Sequence, residues 1–350
     1  MDDHATGTEP PGTAPGALFR ASEGGAVECF ACAHRCRIPE GKTGICGVRR
    51  NVAGVLRVPS GWVGSLQADP IEKKPFFHFL PGSIALSFGM FGCNFHCPFC
   101  QNWEISQDPQ GDAGASAGRR ITPDGIVDAA RRANARSIVS TYNEPLVTAE
   151  WAAEIFRAAK AANLSTGFVS NGYATPEALD FLRPVLDAFK VDLKSMREET
   201  YRGMGGRLSA VLESIRGIHA RGFWLEVVTL LVPGMNDSEA EIREAARFLA
   251  SVSPDVPWHV TAFHPDHRMS EAAATTPSAL ARAAEIGAGE GLRYVYAGNR
   301  PGETASWEDT RCPGCRKTLV RRRGFRILEN RIGTAGACPD CAAPVAGRWT

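Results

Sequence analysis

Eleven cysteines fall in this 350-residue chain as Cys29, Cys32, Cys36 and Cys46, then Cys93, Cys97 and Cys100, then Cys312, Cys315, Cys338 and Cys341. Without an export signal such thiols are expected to stay reduced and to ligate metal rather than to form disulfides. The outer sets are complete for four-coordinate sites, but the middle one is short of a ligand. It lies in GMFGCNFHCPFCQNWEIS, residues 89–106, with the spacing C-x-x-x-C-x-x-C. A cubane iron–sulfur cluster held by three thiolates keeps one iron without a protein ligand, and that iron can chelate an amino acid through its amino and carboxylate groups. Gly89 and Gly92 let the backbone approach such a cluster and donate N–H bonds to its sulfides. The alternative is a zinc knuckle completed by His96 or a distant residue.

CPGC and CPDC, separated by 22 residues that include TLVRRRGFRILEN, form a pair of knuckles joined by a β-prone segment. Zinc is the first choice for Cys312, Cys315, Cys338 and Cys341, with a rubredoxin-like iron as the alternative. Arg321 to Arg323 are expected on a solvated face, a nucleic-acid contact being the rival. The set Cys29, Cys32, Cys36 and Cys46 has spacings of two, three and nine residues and does not match the bacterial ferredoxin run. Zinc and an auxiliary iron–sulfur cluster both stay open there; the small size of the module, which needs a staple, favours zinc. His34 could replace one thiolate.

These groups need elements to position them. Between the central and C-terminal cysteines, β-rich runs alternate with helical segments: IALSF (84–88), SIVST (137–141), TGFVS (166–170), AFKVDL (188–193), WLEVVTLL (224–231), WHVTAF (258–263) and RYVYA (293–297). Thr122-Pro123, Thr175-Pro176 and Thr276-Pro277 each offer an N-cap hydroxyl followed by proline at N1, and Ser238 with Glu241 reads as a capping box. Six or seven βα units predict an α/β fold, a full or incomplete (β/α) barrel with its reactive groups at the C-terminal ends of the strands. A doubly wound open sheet is the rival. The loops after the strands carry GMFGCNFHC, YNEP, NGY, DLK, PGMND and HPDH, so polar and metal-type residues gather at one end in either case. PGMND is expected to be a turn without chemistry, and DPIEKKPFFHF, ahead of the first barrel strand, a solvated hairpin over the sheet. The expected organisation is a disordered N-terminus over 1–25, an N-terminal cysteine-rich module over 26–65, the barrel over 66–300 and a C-terminal ribbon over 301–350.

An apolar content of 44% allows a large core, and 39 basic against 38 acidic residues leave no global field for nucleic acid or a membrane surface. No apolar run is long enough to span a bilayer, and the acidic, Pro/Gly/Thr-rich first twenty residues lack the apolar stretch of a signal peptide. A cytoplasmic protein is expected.

C-x-x-x-C-x-aromatic-C directly after the first barrel strand resembles the signature of radical SAM enzymes. DPIEKKPFFHFLPGS, CNFHCPFCQNWEIS, YNEP, SNGY, VDLK, LLVPGMNDS, FHPDHR and YVYAGN extend the likeness to the AmmeMemoRadiSam-system radical SAM proteins, relatives of the activating enzymes of glycyl-radical enzymes. The similarity runs from about residue 26 to the end, both outer cysteine sets included. It implies an incomplete (β/α)6-type radical SAM barrel with small metal modules at both ends, a 4Fe-4S cluster at Cys93, Cys97 and Cys100, and S-adenosyl-L-methionine on the open iron. Reductive cleavage would then give methionine and a 5′-deoxyadenosyl radical that abstracts hydrogen from a substrate, a protein being one candidate.

By the same resemblance Phe99 would help to seat the adenine, and Glu144 or a neighbouring carbonyl, beside Asn143, would meet the amino group, a surface glutamate being the alternative. Tyr142 and Asn143 stand where the family carries two glycines. Ser170 and Asn171 would lie near the cofactor, while Val169 replaces an aspartate of some relatives and argues against a monovalent-cation site. Asp192 and Lys194, a strand-end ion pair by residue type alone, would join the cofactor or substrate pocket. His264, grouped with Asp266 and His267, would lie near the ribose. The implied partners are an electron donor such as flavodoxin or ferredoxin and Memo-type or AmmeMemo-type proteins, and installation of a glycyl radical is a narrower implication. The competing class is a zinc-ribbon module that binds nucleic acid or protein on a non-catalytic barrel.

Overall fold

The computed structural model describes residues 12–107 and 118–350. Its centre is an eight-stranded sheet. Seven strands are parallel and follow chain order: Ile84–Gly89, Ala135–Ser140, Ser165–Ser170, Ala188–Asp192, Trp224–Leu231, Trp258–Ala262 and Val295–Gly298. Ser65–Pro70 adds to the first of them antiparallel, as an edge. Crossovers through helices connect parallel neighbours, as parallel pairing requires. Among the described residues no pairing joins Ser65–Pro70 to Val295–Gly298, so the barrel is incomplete. The expected strands are all present; the last starts two residues later than RYVYA suggested.

Helix starts follow the hydroxyl–proline chemistry. The side chains of Thr122, Thr175 and Thr276 accept from Gly125 N, Ala178 N and Ala279 N at 3.1, 3.1 and 3.2 Å, which at about 1 kcal/mol per cap fixes where each helix leaves the sheet. The capping box at Ser238 is half formed. Ser238 Oγ accepts from Glu241 N at 3.3 Å, but the buried Glu241 carboxylate turns away to take Ser195 Oγ and Met196 N at 2.5 and 2.7 Å.

Three expectations are corrected. Residues 1–11 lie outside the described part, but 12–25 are not disordered: Thr13–Pro15 pairs with Val55–Pro59, and Phe19–Ala21 with Val27–Cys29. Between them Ala17 N and Leu18 N donate to the buried Glu150 carboxylate, so the segment is held by backbone pairing that its Pro/Gly composition does not reveal. The DPIEKKPFFHF segment is not solvated. It runs under the barrel, where Phe76, Phe77, His78 and Phe79 are buried, because an open barrel leaves an apolar floor that something must fill. Finally, Arg321 to Arg323 do not share a solvated face. Arg322 is buried, donating to Phe77 O at 2.9 Å and Thr310 Oγ1 at 2.7 Å with its guanidinium 4.4 Å from the Phe77 ring, since alternate residues of a strand face opposite sides.

The ribbon is thereby welded to the barrel floor. Phe77, Tyr294 and Tyr296 share one core with Leu319, Val320, Ile332 and Val345, and His78 donates to Ala346 O at 2.6 Å while it accepts from Tyr296 OH at 2.5 Å. Among the described residues no helix is long and apolar enough to cross a membrane.

Candidate active site

The three-cysteine loop leaves the first parallel strand at Gly89, and there is no space for a larger residue: a Cβ there would stand 2.9 Å from Thr141 O and Tyr142 Cβ. The next strand end holds the loop. Asn143 Oδ1 accepts from Met90 N at 3.0 Å, and its Nδ2 donates to Gly92 O at 3.1 Å, so this amide serves the backbone that leads into Cys93. Glu144 is buried and bonded on both oxygens, accepting from Leu146 N at 3.0 Å and Ser170 Oγ at 2.7 Å on one and from Asn171 N at 2.8 Å on the other. Burial pushes its carboxyl up to about 7, although the three donors oppose the shift. Asn171 Nδ2 then donates to Asn94 Oδ1 at 2.7 Å, inside the cysteine loop. Strand ends two and three thus form one hydrogen-bonded chain that terminates between Cys93 and Cys97.

The fourth strand end supplies charge. Lys190, Asp192 and Lys194 alternate along the chain, and both ammonium groups pair with the Asp192 carboxylate, Lys194 at 3.3 Å. Burial would raise the Asp192 carboxyl, but the two lysines outweigh it and hold it below the ordinary range. Lys194 lies over the Phe99 ring, 5.7 Å from its centroid. Burial pushes the Cys97 thiol up to about 11, and the Lys194 cation pulls the other way, favouring thiolate at the loop. Cys93 is raised further, by burial and then by the Glu144 carboxylate. Asn236 of PGMND donates to Lys194 O at 2.7 Å, so that turn also positions the lysine.

The sixth strand end lies along the far side of the loop. Arg268 N donates to Pro98 O at 3.0 Å, Gln101 Nε2 donates to His264 Nε2 at 2.5 Å, and His267 stacks on Trp103 at 5.0 Å. His264 is exposed and Asp266 is a turn cap, its carboxylate accepting from His267 N at 2.7 Å. Sequence reasoning passed over Lys190, although Lys-Val-Asp-Leu-Lys has the period of two that puts all three charges on one face. It also gave no role to Lys74, whose ammonium sits 3.1 Å from both Asp69 Oδ2 and Tyr142 OH; nothing in residue type distinguished it.

The cysteine sets differ in size. Among the described residues, Cys312, Cys315, Cys338 and Cys341 form the group in which ligand atoms of three or more residues all lie within 4.8 Å of one another; the central and N-terminal thiols stand wider. Sulfur pairs 3.5 and 3.7 Å apart in the ribbon match the edge of a tetrahedron about one ion, about 3.8 Å for metal–sulfur bonds of about 2.3 Å. Three wider thiols on one loop, beside the half-buried Lys194 and under several strand ends, fit a polynuclear cluster instead.

Such a loop at the C-terminal edge of a partial parallel barrel defines a class. Residues 88–249 match the family profile of the Radical SAM superfamily and form a Radical SAM domain. The chain is 38% identical over 323 residues, 91% of its length and 95% of the relative's, to an uncharacterized protein of Methanocaldococcus jannaschii, MJ0808. It is also 30% identical over 131 residues, 35% of this chain and 41% of the other, to the isethionate sulfite-lyase activating enzyme of Oleidesulfovibrio alaskensis. Among solved structures, a domain of the pyruvate-formate lyase-activating enzyme from Bacteroides vulgatus matches 47% of this chain and 99% of its own at 21% identity, with a TM-score of 0.41.

Proposed function

We propose that the protein reductively cleaves S-adenosylmethionine at a 4Fe-4S cluster held by Cys93, Cys97 and Cys100. The observation that carries this reading is the convergence of four strand ends on one three-cysteine loop through Asn143, Asn171, Lys194 and His264. A cluster held by Cys93, Cys97 and Cys100 would supply the one electron needed for reductive C5′–S cleavage to methionine and a radical able to take a hydrogen atom from a substrate. The chain's own residues prepare that event. Glu144, through Asn171 and Asn94, holds the loop between Cys93 and Cys97; Lys194 favours thiolate at Cys97 and borders Phe99; Gln101 and Trp103 meet His264 and His267 at the open side. Adenine against Phe99 and the amino group near the Glu144 strand end are the binding contacts this arrangement supports.

The finer reading is an AmmeMemoRadiSam-system enzyme of the cytoplasm, supplied by flavodoxin or ferredoxin, associated with Memo-type proteins and acting on a protein, with glycyl-radical installation as one form of that action. Zinc in the ribbon is part of the same proposal. Likeness to an activating enzyme over 131 residues supports the kinship. Burial of Arg322 breaks the basic face that a nucleic-acid-binding ribbon would need. The test is anaerobic reconstitution followed by reduction in the presence of S-adenosylmethionine: formation of 5′-deoxyadenosine is expected, and its absence from cluster-loaded protein sinks the reading.

A further inference from the structure

We propose that Cys29, Cys32, Cys36 and Cys46 hold a second iron–sulfur cluster, of more than one iron, in electronic contact with the Cys93, Cys97 and Cys100 site. Of the two occupants the sequence left open, zinc and an auxiliary cluster, the assignment takes the one the module's size did not favour, and it starts from sulfur spacing. A single tetrahedral ion draws its thiolates together as in the ribbon, yet the N-terminal thiols do not gather within 4.8 Å. They nevertheless surround one small cavity, lined by all four of them together with Arg49 and Val147. Thiols that face a common space and stand too far apart for one ion are spaced for a larger occupant.

A second observation concerns donors. Arg49 is buried, and its two terminal nitrogens are taken by the Glu150 carboxylate at 2.7 and 2.6 Å, so the orientation of the guanidinium is fixed. Its Nε is left buried without a hydrogen-bond partner, on a side chain that lines the thiol cavity. The Asn94 side chain is also buried, and it meets the Cys32 thiol. A buried N–H without an acceptor has lost its hydration with nothing in exchange, and inorganic sulfide between the thiolates is an acceptor that would satisfy it. The Arg49 cation also offsets the negative charge that four thiolates bring into a dry site.

Contact with the central loop is direct. Gly92, next to Cys93, has a φ of +86°, and a Cβ there would stand 2.7 Å from Cys46 O. Asn94, next to Cys93 on its other side, accepts on its carbonyl from His34 Nε2 at 2.9 Å while its side chain reaches Cys32. Zinc has no redox chemistry, whereas a cluster here can pass an electron on. In the balanced step an external low-potential one-electron donor is oxidised by one electron, the N-terminal cluster is reduced and then reoxidised, and the central cluster receives that electron. This relay rests on the proposed function; occupancy by iron and sulfide does not.

The experiment quantifies iron, acid-labile sulfide and zinc in anaerobically prepared full-length protein and in a Cys93→Ala, Cys97→Ala, Cys100→Ala variant. The variant is expected to retain about a third to a half of the wild-type iron, with matching sulfide, and one zinc. Retention of two zinc ions and no sulfide overturns the assignment. Should that variant fail to fold, Cys32→Ala, Cys36→Ala carries the same test in reverse: it must lose iron and sulfide while the central cluster remains, and an unchanged iron count overturns the proposal. For the contact, the paramagnetic spectrum of dithionite-reduced wild type is compared with the sum of the spectra of the two variants. Broadening from coupled spins is expected, and a wild-type spectrum equal to the sum overturns it. Absence of 5′-deoxyadenosine would count against the radical reading alone.

Discussion

The C-terminal and central cysteine sets use the same ligand for opposite ends. In the ribbon, two C-P-x-C turns aim four sulfurs at one point, 3.5 and 3.7 Å apart in pairs, and backbone N–H groups of Gly314, Cys315 and Asp340 point at Cys312 and Cys338. That site closes upon itself, packed on apolar residues shared with the barrel floor, and the charges beside it, Lys317, Asp340 and Arg331, pair with one another. The central thiols stand wider and are surrounded by groups with spare chemistry: half-buried Lys194, the buried Glu144 carboxyl and exposed His264. The difference teaches that ligand count alone does not separate a staple from a reaction centre; sulfur spacing and the polarity of what surrounds it do.

The comparison breaks most readily at Cys97. Cys97→Ala should remove the central cluster and reduce 5′-deoxyadenosine formation to background while the ribbon keeps its metal, as measured by iron and zinc content; joint loss of both would show that the sets are not independent. Cys338→Ala should do the converse, releasing the ribbon metal and lowering the melting temperature on the order of 10 °C, because the hairpin that buries Arg322 against Phe77 loses its staple. Retained stability without the metal would show that the shared core alone holds the ribbon.

His78 sharpens the contrast from the barrel floor. Burial pushes its imidazole from 6.5 down to about 4, against the nearby Glu226 carboxylate. A depressed folded-state value means that stability is fully present above about pH 6.5 and is lost as pH falls towards 4, by up to roughly 3 kcal/mol. Thermal melts of wild type and His78→Gln over that window should converge as the pH falls; parallel curves would refute the shift. The smallest effect is expected at the site rim. Trp103→Ala removes the stack on His267, about 1 kcal/mol, and should raise the apparent KM for S-adenosylmethionine roughly two- to fivefold with cluster iron unchanged.

Much of this was legible beforehand. Strands such as WLEVVTLL stand out by their run of β-branched and apolar residues, helix starts such as Thr122-Pro123 by cap chemistry, and the central cysteines by spacing. Residues whose role depends on distant partners were hidden. Asn143 resembles any loop amide until its side chain is seen bridging Met90 N and Gly92 O. Glu150, on an alanine-rich helix, gives no sign that it anchors both Arg49 and the backbone of Ala17 and Leu18.

By itself the chain determined the parallel α/β order, the strand-end location of the polar loops and the grouping of its cysteines, because periodicity, caps and ligand spacing are local properties. Tertiary structure alone decided that residues 71–80 and the ribbon fill the open barrel's floor, that Arg322 points inward, and that the N-terminal thiols stand against the central loop through Gly92 and Asn94. The reason is physical: packing an incomplete barrel joins segments as far apart as His78 and Ala346, and no local pattern encodes which buried donor will face which sulfur.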